Sequence, residues 1–111
     1  MDENEKVVVL PDNPVRCALM RAAEIVEERW CQGTLGTTGG PVCALGAISE
    51  VTDGTPTAAW VALPGKRTTA HLAREALERQ VADIATRWND TDKRTNKEVA
   101  AAMRRAAVKA D

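Results

Sequence analysis

The chain has no phenylalanine, no tyrosine and a single histidine among its 111 residues. Bulky packing must therefore come from Trp30, Trp60, Trp88 and the aliphatic side chains. With so few aromatics there is no stacking platform for single-stranded nucleic acid. Cysteines number three, an odd count without CxxC spacing, so neither a disulfide framework nor a zinc site is expected. No apolar run approaches the ~18–20 residues of a membrane-spanning helix. The opening MDENEK is acidic and lacks the pattern of a secretory leader, so an intracellular, cytoplasmic setting is expected. Net charge is only −1, which supplies no global field toward nucleic acid or anionic lipid.

What is present is alanine, strong helix formers and 28% charged residues, a composition that reads as mainly α. Charge is unevenly spread: residues 1–30 hold seven acids and four bases, and residues 93–109 hold six bases and one acid. The segment Trp30–Ile48, WCQGTLGTTGGPVCALGAI, contains five of the seven glycines and two of the three cysteines. It reads as the hub on which the helices are arranged.

Residues 1–13 form an expected N-terminal arm, partly disordered, in which Val7-Val8-Val9-Leu10 reads as an edge strand or docking arm. Residues 14–111 form one helical domain. Asn13-Pro14 is a helix start, with asparagine as N-cap and proline at the first helical position. From Pro14 to about Arg29, Val15, Ala18, Leu19, Ala22, Ile25 and Val26 share one face, and Cys17 lies opposite, at the surface. The glycines around Thr37-Thr38-Gly39-Gly40 predict a short β-hairpin after this helix. A second helix follows from about Cys43; it is apolar all round, and its Gly46 implies a close backbone approach. Thr55-Pro56 opens a short helix to about Leu63 that turns Trp60 inward and is stopped by Pro64-Gly65. A strand over 58–63 is the competing reading. Lys66-Arg67 is a basic loop.

A long helix is predicted from Thr69 or Ala70 to about Trp88. Its apolar stripe is Leu72, Ala76, Leu77, Val81, Ile84, Ala85 and Trp88, and Glu75–Arg79 and Asp83–Arg87 are outer-face ion pairs. Thr95-Asn96-Lys97-Glu98 is a capping box opening a last helix to about Lys109, with Val99, Ala102, Met103 and Ala106 inward. The expected architecture is a compact bundle of four to five helices with a Gly-rich β-hairpin inserted after the first. Trp30, Gly33, Gly39, Gly40, Cys43, Gly46 and Trp88 are its structural residues.

The residue types of a cysteine hydrolase occur in acceptable order: Cys43 at a helix N-terminus, His71 as base, and Asn89 or Asp90 to orient it. Against this, Cys43 lies in a small-residue segment that reads as core, and His71 at the start of a helix reads as solvent-facing. Cys43 is taken as structural, and no catalytic residue, metal or cofactor is assigned. A Cys31–Cys43 disulfide is disfavoured in a reducing compartment. Gly33 to Gly40 superficially suggests a phosphate loop but lacks the GKS/GKT ending and is preceded by a helix, not a strand. Arg104, Arg105 and Lys97 form a basic face on the last helix that reads first as a solvated surface, with phosphate contact as the alternative.

Three ordered segments carry a family resemblance: RAAEIV at Arg21–Val26, Trp30-Cys31-Gln32-Gly33 with Pro41–Ile48, and Trp88-Asn89-Asp90 followed by Thr95 and the last helix. Over residues 14–107 the chain resembles a family of small actinobacterial and mycobacteriophage proteins classed as a domain of unknown function. The resemblance implies a shared fold and a phage or bacterial, intracellular origin, and it implies no activity. The functional expectation is a non-catalytic module that binds another protein, a host factor or a second copy. A Cys43-dependent hydrolase or transferase and a nucleic-acid-binding protein are the alternatives.

Overall fold

The structure, a computed structural model, describes residues 13–62 and 67–110. Val7–Leu10, Pro64-Gly65 and Lys66 lie outside these residues. Five α-helices are described: α1 Pro14–Arg29, α2 Ala44–Asp53, α3 Thr69–Val81, α4 Ala85–Asn89 and α5 Asn96–Lys109, with a 3₁₀ turn at Ala59–Ala62.

Helix α1 begins as its sequence dictates. The Asn13 side chain accepts from the amides of Val15 (3.0 Å) and Arg16 (3.1 Å), satisfying donors that a helix start leaves open. Its apolar face buries Val15, Ala18, Leu19, Ala22, Ala23 and Val26, and Cys17 is exposed. Helix α5 opens with the expected capping box: Thr95 Oγ1 accepts from the Glu98 amide (3.2 Å), and Glu98 Oε1 accepts from the Thr95 amide (2.9 Å).

Helices α1 and α5 run antiparallel. At one end Arg16 donates to the carbonyls of Ala107 (3.1 Å) and Ala110 (2.9 Å); at the other, Asn96 donates to the Glu27 carbonyl (2.8 Å). Their interface is short-chained, with Ala22, Ala23, Ala100 and Ala107 fully buried. Small side chains let helix axes approach closely, which is how a chain without Phe or Tyr reaches interior packing density. Helices α2 and α3 pack across this pair and close the core around Leu19, Ile48, Leu77 and Met103.

Three expectations are corrected. The Gly-rich β-hairpin is not formed: among the described residues there is no strand, only isolated bridges from Val42 to Trp30 (parallel) and to Gly36 (antiparallel). A turn does close at Thr37–Gly40 (Gly40 N to Thr37 O, 2.9 Å). Pro41 then has no amide to donate, and Val42 also pairs with the end of α1 (Val42 N to Arg29 O, 2.7 Å), so no ladder propagates. Second, the long helix predicted to reach Trp88 ends at Val81. Ala82 takes the left-handed conformation (φ 57°, ψ 41°), and α4 starts after Ile84. Glu78 accepts from the Ala85 amide (2.9 Å), and Asp83 accepts from its neighbour Ile84 (2.7 Å) and from Arg87 (2.8 Å). Ile84 consequently lies at the surface, as does Leu72; Glu75 pairs with Arg67 (2.6 Å) rather than Arg79. Third, the helix expected from Thr55 is reduced to the 3₁₀ turn, which still buries Trp60.

Candidate functional site

The break between α3 and α4 turns Trp88-Asn89-Asp90 onto the Trp30–Gly33 segment, and there the two halves of the chain are joined by side chains. Asn89 is fully buried. Its Oδ1 accepts from Trp30 Nε1 (2.6 Å) and from the Ala44 amide (2.9 Å) at the start of α2. Its Nδ2 donates to the Cys31 carbonyl (3.1 Å) and to Asp90 Oδ1 (2.9 Å). An amide offers two donors and a carbonyl oxygen with two lone pairs, so the hydrogen-bonding capacity of this side chain is filled.

Neighbouring groups extend the clasp. Gln32 Nε2 donates to the carbonyls of Asn89 and Thr91, both at 3.0 Å, and Asp90 Oδ1 accepts from the Gly33 amide at 2.9 Å. Gly33 holds φ +83°, a conformation costly for any residue with a Cβ. Gly46, on the adjacent turn of α2, meets the loop so closely that a Cβ there would lie 2.0 Å from the Leu35 carbonyl oxygen. The expected close approach is thus between α2 and the glycine-rich loop.

Cys43 is the N-cap of α2; its Sγ accepts from the Gly46 amide at 3.3 Å. It is only 3% exposed. Burial pushes its thiol up in pKa, partly offset by the amides of Gly46 and Leu45 that point at the sulfur. Cys31 is also pushed up, by burial and then by the Asp90 carboxylate. Both shifts favour the protonated thiol over the nucleophilic thiolate.

Cys43 and Asp90 therefore line a cleft of about 210 Å³, whose other walls include Gly33, Leu35 and Thr86, while Asn89 is fully buried beside them. His71 is held in a separate cluster. It is buried, contrary to the solvent-facing expectation, as the third residue of α3 in a capping box with Thr68. Its Nδ1 lies 2.9 Å from Thr68 Oγ1 and 3.2 Å from the Thr68 amide, and its ring meets Trp60 edge-on at 4.9 Å. Among the described residues no group of three or more His, Cys, Asp or Glu side chains is arranged to hold a metal ion.

The basic face is divided. Arg104 forms a two-point ion pair with Glu27 of α1, at 2.6 and 2.9 Å. Arg105 and Lys97 are exposed. Arg94 stacks over the half-buried Trp88 ring at 4.3 Å and donates to the Trp88 carbonyl.

Two sets of residues were not singled out from sequence. Arg29 donates to the Gly40 carbonyl and to Glu50 (2.6 Å), whose other oxygen accepts from Gly39 (3.3 Å), clipping the glycine turn to α2. Ser49 accepts from the Ala58 amide (3.0 Å) and Trp60 Nε1 (3.1 Å) and donates to the Thr55 carbonyl (2.7 Å). Ser49 is fully buried directly after Ala44–Ile48, so its hydroxyl has to find its partners inside the fold.

Residues 10–109 match a family of unknown function, DUF6197. The chain belongs to this family. No curated protein and no solved structure matches it. In this DUF6197 member, no helix among the described residues is long and apolar enough to cross a membrane.

Proposed function

We propose that this DUF6197 member is a non-catalytic module whose work is to bind another protein, a host factor or a second copy of itself. The observation that carries this reading is the state of the clasp. Asn89 has spent its hydrogen-bonding positions on Trp30, Ala44, Cys31 and Asp90. Cys43 is buried with its thiol pushed toward the neutral form. The polar groups most suggestive of chemistry are therefore committed to holding the fold, and the unspent features lie on the outer surface. These include exposed Ile84 and Val108 and the open groove beside α5.

The same reading takes the setting to be the cytoplasm of an actinobacterium or of its phage-infected cell. Three cysteines without a disulfide and the motif resemblance support that placement.

Affinity capture with the full chain from a lysate of the source cells, followed by cross-linking and light scattering, tests the reading. A stoichiometric protein partner, or a defined oligomer, is expected. A strict monomer that retains no specific protein under either condition would count against it. Rapid iodoacetamide modification of native Cys43 would instead favour the thiol-enzyme alternative.

A further inference from the structure

Helix α5 leaves one long side uncovered by other described elements, where it forms an open groove of about 490 Å³ against the corner between α3 and α4. Three cations, Arg94, Lys97 and Arg105, line it with one acid, Glu98. Arg94 is already engaged by Trp88 and lies 3.9 Å from Glu98. Lys97 and Arg105 have no ion-pair partner among the described residues. Between them, at the middle of the same helical row, sits Ala101.

The spacing specifies a ligand. Positions 97, 101 and 105 recur every four residues, so they stack on one face of α5, with the two cations about 12 Å apart along the axis. An extended chain advances about 3.3 Å per residue with alternate side chains on one side, so residues i, i+2 and i+4 span about 13 Å. Acids at i and i+4 meet Lys97 and Arg105, and a small aliphatic residue at i+2 rests on Ala101.

Resting on the protein-binding reading above, we propose that this groove binds an extended acidic segment of a partner protein with the pattern acid–x–aliphatic–x–acid. A polyanionic nucleic acid fits less well. Glu98 sits in the groove, the face of Trp88 is taken by Arg94, and Arg104 is spent on Glu27.

The test is fluorescence anisotropy with the full chain and a labelled heptapeptide containing Glu-Ser-Val-Ser-Glu. Binding is expected, weakened about tenfold by the paired substitution Lys97→Glu and Arg105→Glu, with circular dichroism unchanged. Moving the second glutamate by one residue points it away from the helix and is expected to cost a similar factor. No binding, equal binding of the shifted peptide, or tighter binding of a 12-nucleotide single-stranded DNA would each overturn the proposal. If the peptide fails while affinity capture of a protein partner persists in the charge-reversed variant, the groove assignment falls and the protein-binding reading stands.

Discussion

Asn89 shows why a single buried amide can decide a fold. Two of its hydrogen bonds satisfy the otherwise orphaned Trp30 indole N–H and the first amide of α2, and two reach back to Cys31 and Asp90. Leaving such donors unpaired in the interior costs ~1–3 kcal/mol each. Asn89→Ala is expected to lower unfolding free energy by about 3 kcal/mol in urea denaturation. Asn89→Asp should be comparably harmful despite its identical shape, because its second oxygen would face the Cys31 carbonyl and the Asp90 carboxylate. A mild Asn89→Asp phenotype would contradict this assignment of the amide. Gly46→Ala is expected to cost ~2 kcal/mol, since the added Cβ meets backbone rather than a movable side chain.

Titratable residues set the pH limits in both directions. Glu27, Glu75 and Asp83 are held below the usual carboxylate range, first by hydrogen bonds from Arg104, Arg67 and Arg87. A carboxyl depressed in the folded state contributes stability above its unfolded pKa, and this is lost as pH falls through the folded value. The thiols of Cys43 and Cys31, raised in the folded state, contribute fully below their unfolded pKa of ~8.5 and lose that contribution as pH rises through the folded value. Urea midpoints are therefore expected to be level between about pH 5 and 8 and to fall on both sides. Arg104→Gln should shrink the acid limb, and an unchanged limb would show that the Glu27 pair is inconsequential.

At the scale of the element, the break after Val81 is the instructive one. Ala82 occupies the left-handed region at the C-cap, which glycine enters without penalty. Ala82→Gly is expected to stabilise the protein by about 1 kcal/mol, read as a higher urea midpoint. Destabilisation would mean that α3 and α4 are better described as one helix. Apolar spacing alone favoured the longer helix, because Val81, Ala85 and Trp88 continue the stripe. Asn89 overrides that pattern through partners roughly sixty positions away, which no local window contains. The same applies to the missing hairpin: its turn chemistry was legible at Thr37–Gly40, but Val42 is shared with the end of α1. Helices α1 and α5, whose caps and apolar faces are encoded within a few residues, were legible nearly to their ends.

For the whole molecule, the segments Trp30–Gly33 and Trp88–Asp90 form a closed clasp, and the outer α5 face is left as the open surface. The candidate site was half legible. The motifs marked Trp30–Gly33 and Trp88–Asp90, but His71 was grouped with Cys43 by residue type and is held instead by Thr68 and Trp60. The clips made by Arg29–Glu50 and Ser49 depend on tertiary placement and left little trace in the linear pattern. The central claim is that the clasp serves structure and the surface serves binding. Its most direct measurement is quantitative affinity capture of a protein partner by wild-type, Cys43→Ser and Lys97→Glu/Arg105→Glu chains, with folding checked by circular dichroism. Cys43→Ser, which keeps an N-cap acceptor for Gly46, is predicted to retain wild-type capture, while the groove variant loses it. Loss of capture in a folded Cys43→Ser chain, with the groove variant unaffected, would contradict the account.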